Sequence, residues 1–316
     1  MTGPKVDVPE WCESVGPQCP VEGTVYGYYP SMGWNAFFAA AFGLAFVLQL
    51  GFGIRYKTWT YMIGVSLGCL GETLGYIGRI QLNDNPYSNG GFTLQIVMLI
   101  FSPAFLAAGI YLTLKYAVIS FGQEWSRLRP AWYTYIFIAC DITSLVLQSA
   151  GGALAATADD GDQKTLDAGT DIMIVGIIFQ VVVLIIFAGF VLEYSLRTYR
   201  RRDQLSESSL QLWASTKFRL FCGAVIVAYF GILIRCIYRI PELFGGWAND
   251  LMRNEVDFIV LEGIMILITV IAQTVFHPGI FFPALAGTIG GGKKKKGDKG
   301  SSVSESELEM NARPFV

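Results

Sequence analysis

Charged side chains lie inside or at the rim of stretches that are otherwise apolar, and these are the residues most able to do chemistry. The densest group reads Arg235-Cys-Ile-Tyr-Arg239-Ile-Pro-Glu242 and follows the nearly uniformly apolar stretch 221–234. A charge at the centre of a bilayer costs about 2.5–3.5 kcal/mol on insertion scales. A chain that keeps such residues must therefore pair them or face them into a wet cavity.

Other polar residues follow the same pattern in neighbouring apolar stretches. Glu72 and Arg79 are seven residues apart, which places them two helical turns apart on one face. Asp141 and Gln148 repeat that spacing, and Gln180 stands in an otherwise apolar run. The candidate substrate-binding or polar-cavity residues are Glu72, Arg79, Asp141, Gln148, Gln180, Arg235, Arg239, Glu242, Glu255 and Glu262.

Acids and bases on different helices can meet in the interior of a helix bundle. We therefore predict an interior polar cavity that opens toward the outside. Three interpretations stay open: ion pairs that hold the helices in register, a pathway for a substrate or for protons, and a carboxylate-based catalytic site. Arg79 and Glu242, near the membrane interface, could instead extend to the lipid headgroups.

Composition places these residues in a membrane protein. Hydrophobic residues make up 53% of the chain and charged residues 15%, where a soluble domain usually carries about 25% charge. We predict an all-α integral membrane protein with seven transmembrane helices, because each apolar stretch is near the ~20 residues that cross a bilayer. The predicted spans are 33–54, 57–79, 92–115, 132–154, 170–193, 217–239 and 256–277.

The distribution of basic residues predicts the orientation. Of the 23 Lys and Arg, 17 lie on one side: two after the first span, three after the third, six after the fifth and six in the C-terminal tail. We expect residues 1–32 to be an extracellular segment, 33–283 the seven-helix domain, and 284–316 a disordered cytoplasmic tail containing Lys293–Lys296. Residues 1–32 lack the pattern of a signal peptide, and we expect none.

Cys12 and Cys19 stand among prolines and glycines in the predicted extracellular segment, with six residues between them. They form a candidate disulfide, the alternative being two free thiols. The other four cysteines fall in predicted spans, where we expect packing roles.

Several function classes are disfavoured by the residues present. A retinal Schiff base needs a lysine in the last span, which has none. The chain contains one histidine, His277, so a histidine-based metal centre is excluded. Without a Walker loop, ATP hydrolysis in this chain is not expected. A seven-helix receptor fits the topology, but the loop after the third span lacks the Asp/Glu-Arg-Tyr triplet of rhodopsin-like receptors.

Short motifs on every span resemble the fungal RTA-like family of lipid-translocating exporters, over about residues 26–283. They are Tyr29-Pro30-Ser31 with Asn35, Glu72-x-x-Gly75-Tyr76-x-x-Arg79, Pro103 with Ala108 and Tyr111, Asp141 with Gln148-x-x-Gly151-Gly152, Gly176 with Gln180, Arg235-x-x-Tyr238-Arg239-x-x-Glu242, and His277-Pro278-Gly279. The chain departs from the family pattern at Glu262, where members usually have Asp, and this difference alters the outer cavity wall.

The resemblance implies a non-enzymatic fungal protein that moves sphingoid long-chain bases or toxic amphiphilic amines, or regulates their movement. The alternative is a receptor or stress-signalling protein without transport activity. We expect no cofactor, no metal and no nucleic-acid partner; the partners implied are membrane lipids and an amphiphilic small molecule. The plasma membrane is the expected location, with the vacuole or endoplasmic reticulum as alternatives.

Overall fold

The computed structural model describes residues 12–122, 126–127, 129–157, 163–246 and 249–282. Within these ranges the regular elements are helices, apart from an isolated antiparallel bridge between Gly16 and Cys19. The predicted tail 284–316 lies outside the described residues. The α-helices are α1 Met32–Tyr56, α2 Trp59–Asp84, α3 Asn89–Phe121, α4 Pro130–Ala156, α5 Gln163–Arg200, α6 Glu207–Ala214, α7 Thr216–Phe244, α8 Glu255–Asp257, α9 Met265–Val275 and α10 Pro278–Phe281. A π-helical segment, Phe258–Ile264, joins α8 to α9.

The all-helical class is confirmed for the described residues, and six helical stretches are long and apolar enough to cross a membrane. They are α1, α3, α4, α5, α7 and the stretch Glu255–Phe281. The predicted second span, α2, is 26 residues long but is not among them. Five glycines and three charged residues lower its hydropathy. α2 is nevertheless the helix packed between α1 and α3.

Helix boundaries depart from the predicted spans most at α5, which extends seven residues beyond each predicted end. The hydrophobic run marks only the apolar middle of that helix, since its ends are polar. The short helix α6 between α5 and α7 was not predicted, because it has no long apolar run. Helix α1 begins at Met32, one residue before the predicted start of the first span.

The long helices form a closed ring in which each packs against the next in the chain. α1 contacts α2, then α3, α4, α5, α7 and α9 follow, and α9 returns to α1. α3 also reaches α7 across the ring. Residues on the ring's outer surface are large and apolar, such as Leu44, Val146 and Leu192, each more than 60% exposed. This arrangement directs α2, α3, α7 and α9 toward a common interior.

Glycines on one face of α2 bring it close to α3, as the small-residue spacing indicates. A Cβ added at Gly75 would lie 2.6 Å from the Leu99 side chain, and one at Gly78 would lie 2.8 Å from the backbone nitrogen of Gln95. Gly68 meets Leu106 in the same way. The close contact leaves the polar residues of α2 facing inward.

Candidate functional site

Four charged residues form a buried ionic group that we call the tetrad: Arg235, Arg239, Glu242 and Glu262. Arg235 donates from Nε and Nη2 to Glu262 Oε1 at 3.0 and 2.6 Å, and also to the backbone oxygen of Leu99. Arg239 donates from Nη1 to Glu242 Oε2 at 2.8 Å, and its Nε lies 3.8 Å from Glu262 Oε2. None of the four is more than 4% exposed. The tetrad carries two positive and two negative charges and is balanced.

The local structure of two helices positions the tetrad. Arg235, Arg239 and Glu242 fall at i, i+4 and i+7 of α7, so they share one face. Glu262 lies inside the π-helical segment rather than in a regular helix. Such segments are frequent at functional sites. The adjacent Gly263 packs against the rings of Phe38 and Tyr76 with no room for a larger side chain.

Glu72 lies beside the tetrad but is not bonded to it. The residue is completely buried, and neither carboxylate oxygen accepts a hydrogen bond in the described chain. Arg235, Arg239 and Glu262 are its charged neighbours. The nearby Ser102 hydroxyl donates instead to the backbone oxygen of Met98 at 2.7 Å. Glu72 is therefore a buried acid next to an already neutral group.

Arg79 is held by neutral groups instead of a carboxylate. It donates to Asn35 Oδ1 and to the Tyr28 hydroxyl, each at 3.1 Å. Its guanidinium lies over the ring of Phe258 at 3.9 Å and that of Tyr26 at 5.2 Å. Arg79 and Glu242 are 0% and 2% exposed, so neither extends to the membrane surface. The two-turn spacing of Glu72 and Arg79 thus separates them into different environments.

Tyr26 and Tyr28 do not neutralise Arg79, since burial raises the pKa of Tyr26 to about 12 and also raises that of Tyr28. Both phenols stay protonated at neutral pH. They contribute hydrogen bonding and ring faces to the guanidinium, while its charge persists.

Asp141 on α4 is a second buried acid that has no ion-pair partner among the described residues. It is 3% exposed, and neither oxygen accepts a hydrogen bond within the described ranges. The Tyr111 hydroxyl of α3 lies close to the carboxylate and is the group best placed to donate a hydrogen bond to it. Cys236 of α7 is a further neighbour. Asp141 takes part in none of the ion pairs of the tetrad, and the structure thus places it apart from that group.

Gln148 and Gln180 do not join the charged residues. Gln148 Nε2 donates to Ser144 Oγ at 2.7 Å and to Gln180 Oε1 at 3.2 Å, while Ser144 donates to the backbone oxygen of Gly176 at 2.9 Å. These bonds tie α4 to α5. Both amides are largely occupied with each other and with their own helices.

The N-terminal segment, residues 12–31, covers the end of the ring at which α1 begins. The Tyr26 hydroxyl accepts a hydrogen bond from Gln95 of α3 at 2.7 Å. The Ser31 backbone nitrogen donates to Glu255 at 2.5 Å, so Glu255 anchors this segment and lies outside the tetrad. A disulfide joins Cys12 to Cys19. The charged interior is closed in this conformation, and an open route to it stays a prediction.

Sequence reasoning missed Tyr26, Tyr28 and Gln95 as members of the site. The run Tyr26-Gly-Tyr28-Tyr29 before the first span is an aromatic signal that could have indicated them. Gln95 is a lone amide in an apolar run, as Gln180 is, and the same rule would have selected it.

No group of three or more His, Cys, Asp or Glu side chains is placed to hold a metal ion among the described residues. His277 is buried, and its Nδ1 accepts from the Gly279 backbone nitrogen at 3.1 Å, which caps α10. What the site offers is two unpaired carboxyl groups in an apolar interior, an arrangement able to bind a cation or a proton.

A family model and individual relatives of known name match this chain. The family model described as "RTA1 like protein" matches residues 65–284. The sphingoid long-chain base transporter RSB1 of Saccharomyces cerevisiae is 30% identical over 284 residues, covering 81% of this chain and 74% of the relative. Protoporphyrin uptake protein 1 of the same species is 30% identical, covering 68% and 67% of the two chains.

A third yeast relative, Protein RTM1, is 25% identical over 77% of this chain and 76% of its own length. No solved structure matches. The family model covers well over half of the chain and includes the buried residues from Glu72 to Glu262. The chain therefore belongs to the RTA1-like protein family of fungi.

Proposed function

We propose that this protein moves amphiphilic cations of the sphingoid long-chain base type, or controls their movement, across a fungal membrane. The observation that carries the proposal is the pair of buried carboxyl groups, Glu72 and Asp141, that no cationic side chain bonds. The relative named a sphingoid long-chain base transporter supports the substrate class. That its relatives are named for transport or uptake also supports a non-enzymatic role.

The ammonium head of the substrate would be received by Glu72 and Asp141. Glu262, the third acid in the interior, is already bridged to Arg235, so its role in our proposal is to hold the arginines in place. Arg235 and Arg239 are then fixed next to Glu72. The ammonium head of the substrate would supply the positive charge that no side chain of the protein provides to these two carboxyl groups.

An exposed, largely apolar face of α3 gives the hydrocarbon tail a candidate position. This open surface is lined by Asn89, Gly90, Thr93, Leu94, Val97 and Met98. Met98 is hydrogen-bonded through its backbone oxygen to Ser102, which neighbours Glu72.

We propose seven transmembrane helices, with α2 as the additional span enclosed by α1 and α3, the N-terminus outside and the C-terminus cytoplasmic. The concentration of basic residues after α1, α3 and α5 supports this orientation. In this arrangement the N-terminal segment is extracellular and residues 284–316 form a cytoplasmic tail. The plasma membrane is the proposed location.

The experiment is reconstitution of the purified protein in vesicles with a labelled long-chain base, followed by measurement of its transbilayer movement. We expect movement well above that in protein-free vesicles, and at least a five-fold slower rate for both Glu72→Gln and Asp141→Asn. The matched control is Asp171→Asn, because Asp171 is an exposed acid on α5. Unchanged rates in both variants would sink the head-group role, and absence of movement would favour a regulator.

A further inference from the structure

We propose that Asp141 is a proton-exchange site, at which the entry of one ammonium head releases one proton to water. This inference rests on the proposed function and specifies how transport is coupled. In the exchange, the O–H bond of the Asp141 carboxylic acid breaks and its proton passes to water. The carboxylate that remains forms an ion pair with the bound ammonium.

The surroundings of Asp141 carry the argument. From α3 it faces Tyr111, from α7 it faces Cys236, and Cys140 precedes it on α4. Tyr229 of α7 is the next titratable group, beside Tyr111. Phenols and thiols are neutral at neutral pH, and no Lys or Arg side chain lies within 4 Å of the carboxylate in the described chain. An ionised Asp141 would therefore be an uncompensated charge in an apolar interior.

The charge count over the buried set points to the same residue. The fully or nearly buried acids are Glu72, Asp141, Glu242 and Glu262, and the buried bases are Arg79, Arg235 and Arg239. One acid is in excess. Glu242 and Glu262 are bonded to arginines, and Glu72 has Arg235 and Arg239 among its neighbours. Asp141 is the buried acid without an ion-pair partner or an interacting cation among the described residues, so we assign it a proton when no substrate is bound.

Occupation by a proton or by an ammonium ion leaves the Asp141 site neutral in both states. An empty Asp141 site would be an unpaired buried charge, which is unfavourable. One ligand can therefore leave only when the other enters, and the two exchange one for one. A transmembrane pH difference would then drive the base toward the more acidic compartment, opposite in direction to the protons.

The test measures proton release on binding, with a probe that cannot titrate. An N,N,N-trimethyl long-chain base carries a fixed charge, so any released proton comes from the protein. Calorimetric titration of the full-length protein at pH 7, in two buffers of different ionisation enthalpy, gives the number of protons released. We expect about one for the wild type and none for Asp141→Asn. Asp141→Glu and the exposed-acid control Asp171→Asn should each retain the release, and size-exclusion profiles verify folding.

Transport in vesicles separates this inference from the proposed function. The same fixed-charge probe has no neutral form, so it cannot cross the bilayer unaided and become trapped by protonation on the acidic side. Protein-free vesicles give the background. We expect a pH difference of one unit to increase accumulation on the acidic side several-fold, and Asp141→Asn to abolish that dependence.

The remaining outcomes are decisive for one claim or the other. Binding or movement without proton release overturns the exchange and leaves the proposed function standing. Binding with release but without movement supports the exchange site and overturns transport. Neither binding nor movement overturns both claims.

Discussion

At the scale of single residues, the buried acids divide into two kinds. Glu242 and Glu262 are bonded to arginines, whereas Glu72 and Asp141 have no hydrogen-bond partner within the described residues. Bonded acids are expected to matter for stability, because removing one partner leaves an uncompensated buried charge. Unbonded acids are expected to matter for function, because the fold does not depend on their charge.

The first prediction concerns the bonded acids and their partners. Arg235→Met should lower the free energy of unfolding by about 3–5 kcal/mol, because Glu262 would lose its closest cation. The double variant Arg235→Met/Glu262→Met should recover part of that loss. Thermal unfolding in detergent measures the difference. The control is Arg219→Met, since Arg219 is exposed on the same helix. Equal stability of Arg235→Met and the wild type would refute the tetrad as a structural unit.

The second prediction concerns Glu72. Glu72→Gln should leave thermal stability unchanged or slightly raised, because it removes a buried acid that accepts no hydrogen bond in the described chain. The exposed Glu207→Gln on α6 serves as the control for the change in charge. A loss of stability as large as that of Arg235→Met would instead assign Glu72 to helix register.

At the scale of elements, two kinds of contact hold the structure together. Small residues allow α2 to pack closely on α3, and hydrogen bonds between residues distant in sequence attach the N-terminal segment to the helices. The glycine face of α2 leaves no room for larger side chains against α3. The N-terminal segment, by contrast, is held by individual hydrogen bonds from Asn83, Tyr87 and Arg253 to its backbone oxygens. The contact between α2 and α3 is therefore not expected to tolerate larger side chains. The N-terminal segment is expected to detach from the helices without unfolding them.

The third prediction tests the helix contact. Gly78→Ala should destabilise the protein by about 1–3 kcal/mol, because the added Cβ would meet the backbone of α3, which cannot rotate away. Gly51→Ala on α1 is the matched control, since a Cβ there meets nothing within 4 Å. Melting temperatures of the two variants provide the comparison, and equal values would contradict the close packing of α2 on α3.

The fourth prediction tests the N-terminal segment. Closing the loop between Cys12 and Cys19 restricts the unfolded segment by roughly 2–3 kcal/mol on the chain-entropy model. The double variant Cys12→Ser/Cys19→Ser should therefore raise amide hydrogen exchange in residues 12–31 without changing exchange in α7 and α9. Mass-spectrometric exchange resolves the two regions. Faster exchange throughout the ring would show that the segment is not an independent unit.

At the scale of the whole molecule, apolar runs were sufficient to predict an all-helical membrane protein and the order of its long helices. The orientation that the basic residues indicate stays a prediction. The spacing of Glu72 and Arg79 predicted one polar face of α2, since that depends only on helix geometry, and both side chains are buried. The partners of each charge could not be predicted, because they depend on how α7, α9 and the π-helical segment pack. The N-terminal segment was equally out of reach, as it has no periodicity and is held by single side chains.

The central claim is that the unpaired buried carboxyl groups select the cationic head of the substrate. The most direct measurement is the ratio of transbilayer rates for a labelled long-chain base and its N-acetylated neutral analogue in the same vesicles. For the wild type and for Asp171→Asn we predict a ratio of at least ten. For Glu72→Gln combined with Asp141→Asn we predict a ratio close to one. A ratio that stays high in the double variant would contradict the account.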